Sequence, residues 1–324
     1  MAELGGSTTH QRGRTLASII NRTPPQMCKK PTRRLRIAAL IDEASQVERE
    51  DAYKADSIGY MAPALAQVTL PHKSQGESLY YERTNGKLTL AIRGHKSYGL
   101  PFGTIPRVIL AWISSEAVRT KSPELFLGRS AAEFSKKLSL HYNGHDLSRL
   151  KKQCLALSRA VISIDNEVEK SLRFEDIKIV RSGLIFWEKD ADTAISLWEN
   201  TITLTEDFYT AIASSSVPLD LRVYFALKKS PLAMDIYCWL TYRMFLLQVS
   251  RKSRVLIPWE YLKAQFASGY SDDEQGLRDF KKAFLRRLRE VLLFYTEAQG
   301  HVTDNGKHLA LTPCRPHVLP SEKK

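Results

Sequence analysis

Arg278, Lys282, Arg286 and Arg289 recur along "GLRDFKKAFLRRLREVLLFY", residues 276–295, at intervals of three and four. At about 100° per residue they fall on one side of a helix. Leu277, Phe280, Phe284, Leu288 and Val291 fall on the other. Guanidinium and ammonium groups in such a row cannot do acid–base or nucleophilic work at neutral pH. They can neutralise a row of phosphates, and they can hydrogen-bond the base edges of a duplex. An earlier stretch, "DLSRLKKQCLALSRAVISI" (146–164), has the same design. There Arg149, Lys152 and Arg159 lie opposite Leu147, Leu150, Cys154, Leu157 and Val161. The two stretches align without a gap at an offset of 130 (277 − 147), Lys151 and Lys152 over Lys281 and Lys282, Arg159 over Arg289. Agreement in the basic positions as well as the apolar ones suggests a duplicated unit rather than a shared helical period.

If both helices face duplex DNA, the first turns of each reach bases and the later turns meet the backbone. Arg278 and Lys282 are therefore candidates for base contact, and Arg286 and Arg289 for phosphate. Lys281 is a further candidate, set nearer the apolar sector. Arg149, Lys152 and Arg159 are the counterparts in the first copy. A basic outer face is also what an ordinary soluble helix carries. The recurrence, a preceding helix-turn and a following hairpin favour the binding role.

These helices need elements to hold them. "LPFGTIPRVILAWISSEAV" reads as a helix opened near Thr104 and Pro106, and Ser130 to Glu133 has the spacing of a capping box that starts another. The first basic helix follows a break at Gly144, and then "AVISIDNEV" and "SGLIFWEKD" read as strands of a β-ribbon. In the second copy, Ser230-Pro231 opens a long apolar helix. "VLIPWEYLKAQF" gives a short strand and a helix, the basic helix follows, and "HVTDNGKHLALTP" gives a hairpin about Asn305-Gly306. Lys307 and His308 at this turn could reach backbone or minor groove; the turn is equally consistent with a plain hairpin. The order helix, helix, basic helix, hairpin predicts an α+β protein of two tandem winged-helix domains, a helix-turn-helix plus β-wing in each.

The expected boundaries are a flexible basic arm over 1–36, a first domain over 37–210, a second and main DNA-reading domain over 211–320, and a tail over 321–324. The arm holds Arg12, Arg14, Arg22, Lys29, Lys30, Arg33, Arg34 and Arg36 against one acid, Glu3. It could trail along phosphates or be a plain terminus. A polar helix is expected around Asp42 to Tyr60, and a hairpin turning at Asn85-Gly86 within "SLYYERTNGKLTLAIRG".

Bulk numbers point the same way. The 324 residues are enough for two domains, and 48 Lys+Arg against 35 Asp+Glu give a net charge of +13, a field that gathers polyanions. No stretch approaches the ~20 apolar residues of a spanning helix, so no membrane role is expected. The start shows no apolar signal segment. Cys28, Cys154, Cys238 and Cys314 form no CxxC pair. A cytosolic (bacterial, plasmid-associated) protein with reduced thiols and no structural zinc is the expectation. No phosphate-binding GxxxxGK[ST] occurs, and Asp272-Asp273-Glu274 reads as acids favoured at a helix start rather than a metal site. None of the His residues form the His-x-His pair that a strand-nicking tyrosine enzyme needs, leaving Tyr80, Tyr81 and Tyr295 to packing. Neither catalysis nor a cofactor or metal is expected.

Four phrases in order, "LPFGTIPRVILAWISSEAVRT", "LGRSAAEFSKKLSL", "WENTITLTEDFYTAI…VPLDLR" and "SPLAMDIYCWLTYR", resemble the plasmid-encoded RepA family of replication initiators, over roughly Tyr98 to Val318. The resemblance implies winged-helix domains that bind repeated sites (iterons) in a plasmid origin, with the C-terminal domain supplying much of the base contact. It implies help in opening adjacent A·T-rich duplex, recruitment of the host initiator and replicative helicase, and copy-number control through a homodimer. The hairpin at Leu79 to Arg93 would be the dimer surface, or else ordinary core strand. The rival from the residues alone is a winged-helix transcriptional regulator without a replication role.

Overall fold

The computed structural model describes residues 33–318, apart from 50, 53, 56, 68, 87, 141, 142, 169, 170, 185–199, 267 and 268. The order is α1 (Arg33–Glu48), β1 (Ile58–Met61), α2 (Pro63–Gln67), β2 (Tyr80–Asn85), β3 (Leu88–Arg93), α3 (Thr104–Thr120), β4 (Glu124–Phe126), α4 (Ala131–Lys137) and α5 (Gly144–Arg159). Then come β5 (Val161–Val168), β6 (Ser171–Lys178), β7 (Val180–Leu184), β8 (Thr201–Leu204), α6 (Glu206–Ser215), β9 (Val217–Asp220) and α7 (Leu221–Ala226). The chain continues through α8 (Pro231–Val249), β10 (Val255–Pro258), α9 (Trp259–Phe266), α10 (Glu274–Leu292), β11 (Val302–Asp304) and β12 (His308–Leu311).

This is an α+β fold with an internal echo. The series α3, β4, α4, α5 is repeated by α8, β10, α9, α10. Each series closes on a small antiparallel sheet with the same logic: β4-β8-β7 in the first, β10-β12-β11 in the second. The helix starts agree residue for residue. Asn143 Oδ1 accepts the Asp146 N–H at 2.9 Å, and Asp273 Oδ1 accepts the Gly276 N–H at 2.7 Å, again 130 positions apart (273 − 143). Such caps satisfy orphan donors of the first turn. Gly144 is thus the first residue of α5 rather than a break before it. Ser230 caps α8 with Pro231 at its first position, and Ser130 caps α4 through the Glu133 N–H.

Two expectations are corrected. The ribbon of 160–168 with 182–190 is not made; residues 185–190 lie outside the described set. Instead β5 joins β3 and β6 in a sheet of order β2-β3-β5-β6, while β7 pairs with β8. The reason is side-chain matching: Leu90 faces Ile164 and Ile92 faces Ile162, so the register lays aliphatic residues over one face. The polar helix around 42–60 lies earlier, at Arg33–Glu48, and Ile58–Met61 is a strand paired with β9. Leu40, Ala44 and Val47 form the apolar stripe that seats α1, which packs on α7. Residues 33–36 of the basic segment therefore begin a helix, and 1–32 lie outside the described residues. The hairpin at Asn85-Gly86 forms, with Gly86 at φ +61° in the left-handed region the turn requires.

The buried apolar residues make one continuous core from Leu40 to Cys314. Helix α8 runs through it and is buried on nearly every side from Leu232 to Thr241. At the junction of the two series, Arg107 of α3 meets Asp235 of α8 in a two-pronged pair, Nε to Oδ1 and Nη2 to Oδ2, both at 2.7 Å. His72 Nε2 lies 2.7 Å from Asp235 Oδ2. Burial would push the Asp235 carboxyl up, but the Arg107 charge and the bonds from His72 and Arg107 hold it below the usual carboxylate range. Burial lowers the pKa of His72 despite Asp235, and its Nε2–H is donated to the carboxylate.

Candidate nucleic-acid interface

The α10 helix is held by its inner face. Phe280 and Phe284 are fully buried among Trp259 and Phe266 of α9, Trp239 of α8 and Tyr270, in mostly edge-on contacts with centroids 5.5–6.5 Å apart. Leu288 and Val291 continue the stripe. Aromatic pairs of this geometry add specific orientation to the area they bury. At the start of α10, Gly276 allows a close approach: a Cβ there would sit 1.9 Å from the Ser271 carbonyl oxygen.

Its outer face divides into two kinds of cation. Lys282, Arg286 and Arg289 are exposed and make no ion pair with any described residue. Arg278 is 63% exposed and pairs with Glu274 at 3.2 Å, itself 89% exposed. Such a surface pair is cheap to open. Lys281 differs. Its Nζ donates to the Gly306 carbonyl at 2.7 Å, lies 2.9 Å from Asp304 Oδ2 and sits 5.1 Å from the Trp259 ring centroid. It fastens α10 to the β11–β12 turn rather than facing outward. Arg287 is held at 2.6 Å by Glu290, whose other oxygen binds Arg36 of α1 at 2.9 Å.

The turn beside Lys281 is built by the same carboxylate. Asp304 Oδ1 accepts the Gly306 N–H at 2.9 Å and Trp259 Nε1–H at 3.1 Å, and Gly306 takes φ +96°. Partial burial would raise the Asp304 carboxyl; the bonds from Lys281, Gly306 and Trp259 outweigh it and hold it below the usual range. Lys307 is exposed at the turn, and its carbonyl accepts the Trp259 N–H. His308 is half-buried in β12, opposite Pro258.

In α5, Leu150, Cys154, Ala156 and Leu157 are buried and Leu147 is half-buried. Gln153 Oε1 accepts the Phe102 N–H at 2.8 Å, which ties α5 to the entry of α3. Lys152 and Arg159 are exposed with no ion pair among the described residues, and Arg149, 68% exposed, lies 3.7 Å from Asp146. The adjacent Lys151 is also exposed, although the alignment pairs it with the fastened Lys281. The correspondence stops at Arg159: Ala160 turns extended and Val161 begins β5, so Val161 is not on the helix, whereas α10 runs one turn further.

The acids at 272–274 have separate duties: Asp272 pairs with Lys263, Asp273 caps α10 and Glu274 pairs with Arg278. Among the described residues no cluster of His, Cys, Asp and Glu could hold a metal, and no helix is long and apolar enough to cross a membrane. Tyr81 and Tyr295 are buried, Tyr295 donating to the Arg315 carbonyl. Tyr80 is exposed and bonded to Glu82. Sequence reading missed the Arg36–Glu290–Arg287 and Arg107–Asp235–His72 groupings, because partners 254 and 128 residues apart leave no local signal.

These features define a class: an α+β protein that twice sets a cation-bearing helix on its own packed helices and closes each series with a small sheet. The family described as plasmid encoded RepA protein matches residues 100–261, half of the chain, and the chain belongs to that family of replication initiators. No curated protein matches the sequence. Among solved structures, crystal structures of domains 2 and 3 of RctB are similar. One is at TM-score 0.46 and 12% identity, covering 80% of this chain and 100% of that one; another is at 0.44 and 11%, covering 78% and 97%.

Proposed function

We propose that this initiator binds double-stranded plasmid origin DNA through two winged-helix domains, 37–210 and 211–320, whose basic helices are α5 and α10. The observation that carries the reading is the row Lys282, Arg286 and Arg289, left exposed on a helix whose opposite face is locked into aromatic core. In this reading α10 lies in a major groove, Arg278 and Lys282 toward bases, Arg286 and Arg289 on phosphates. Arg149, Lys152 and Arg159 of α5 engage a neighbouring groove about 34 Å away. Lys307 extends the contact at the wing. Repeated sites in the origin, recruitment of the host initiator and helicase, and a repressing homodimer complete the proposal. The basic segment before α1 adds phosphate contacts.

The protein then acts by binding, with no reaction of its own. Opening of the duplex draws on DNA distortion, supercoiling and the recruited proteins. With ~6–10 phosphate contacts, affinity drops by ~10³–10⁵ between roughly 50 and 200 mM salt. A gel-shift series over salt tests this, and an affinity independent of salt overturns it. Maintenance of a marked replicon carrying the origin, with and without the protein, separates an initiator from a regulator that only represses. A denaturing gel should show no covalent protein–DNA adduct.

A further inference from the structure

The two cationic helices are joined by a short path of packed elements. Helix α5 packs on α3, α3 on α8, and α8 on α10. In the middle of that path the Arg107 guanidinium is buried, and each of its N–H groups has an acceptor. Nε and Nη2 hold the two Asp235 oxygens, Nη2 also donates to the Leu70 carbonyl at 2.6 Å, and Nη1 donates to Gly103 at 2.6 Å and Pro71 at 3.2 Å. Asp235 Oδ2 in turn accepts from His72. The group thus grips α3, α8 and the segment at 70–72 together.

Apolar helix faces alone can pack in several neighbouring registers at similar free energy. A two-pronged guanidinium–carboxylate pair has one geometry, because both N–H···O bonds must be short at once. We propose that the Arg107–Asp235–His72 cluster is a spacing clamp: it sets the distance and rotation between α5 and α10, and so the separation of the DNA contacts this protein accepts. The clamp rests on the two-helix reading of the DNA contact. It makes Arg107 and Asp235 positioning residues, remote from the nucleic acid. One base pair more or less between two contacts moves them by about 3.4 Å and ~35°, enough to cost one of them.

The test uses the full chain and a duplex selected by the wild-type protein from a randomised pool, with single base pairs inserted or deleted between the two protected grooves. Wild type should lose about 10-fold or more in affinity per change, the loss expected for about one bidentate contact. Arg107→Lys keeps the charge but not the fork, and Arg107→Met with Asp235→Leu removes the pair without stranding a charge. Either should cut that discrimination to about 3-fold or less while still binding the parent spacing, a fall in spacing penalty from about 1.4 to about 0.65 kcal/mol. A second measurement needs no DNA. Spin labels at Lys151→Cys and Arg289→Cys, in a Cys28→Ser background, should report one narrow distance, broadened by Arg107→Lys. Unchanged label distances together with an unchanged spacing profile in folded variants overturn the clamp. A wild-type profile that ignores spacing overturns the two-helix reading, and the label distances then show whether Arg107 holds the helices at all.

Discussion

Two adjacent lysines on α10 should behave oppositely when each is replaced by Met. Lys281→Met removes a half-exposed ion pair to Asp304, a bond to the Gly306 carbonyl and a cation–π contact with Trp259. Discounted for solvent, each contributes about 0.5–1 kcal/mol, and Met retains the packing of the stem. Asp304 keeps its bonds from Gly306 and Trp259, so no carboxylate is stranded. The expected loss is about 1.5–3 kcal/mol, read as a lower denaturation midpoint in guanidinium at unchanged slope. Lys282→Met touches no described partner. It should leave stability within about 0.5 kcal/mol of wild type, yet relax base choice at one position of the DNA site by about 1–3 kcal/mol. pH adds a further arm. The folded pKa of Asp304 lies below its unfolded value, so its stabilisation is present above the ordinary carboxylate pKa and fades as pH falls through the folded one. The gap between Lys281→Met and wild type should therefore narrow in acid. If Lys281→Met cuts DNA affinity at an unchanged midpoint, or Lys282→Met destabilises by more than 1 kcal/mol, the division of α10 into fastening and free cations is wrong.

Phe284→Ala should cost about 3–5 kcal/mol, because the ring is fully buried among Trp239, Trp259, Phe266 and Phe280; calorimetry should show a large fall in Tm. Gly276→Ala should destabilise by about 1–3 kcal/mol by driving a Cβ into the Ser271 carbonyl. Gly144→Ala, with open space at its Cβ, should instead stabilise by about 0.4–1 kcal/mol; chemical denaturation of the pair checks both signs. Burial pushes the Cys154 thiol up to about 12 and raises that of Cys238 as well, so both should resist a disulfide reagent until denaturant is added. Rapid reaction of either in the native protein would contradict the packing described.

What the amino-acid sequence determined by itself is local. Ser130 and Ser230 cap the helices they open, the stripes through Leu150 and Phe280 face inward, and Asn85-Gly86 and Asn305-Gly306 turn hairpins. Caps, stripes and tight turns act over a few residues, so their signals survive in a linear reading. Strand partners and the fate of single cations were decided only by tertiary structure. β5 takes β3 because Ile162 and Ile164 meet Ile92 and Leu90 across some seventy residues. Lys281 and Lys282 are alike in sequence, yet a rotation of about 100° puts one on Asp304 and leaves the other facing outward. Arg107 reads as one more basic residue near a helix start until α8 brings Asp235 against it. The reason is that a buried charge persists only where the fold supplies its partner, and that partner can be any distance away along the chain.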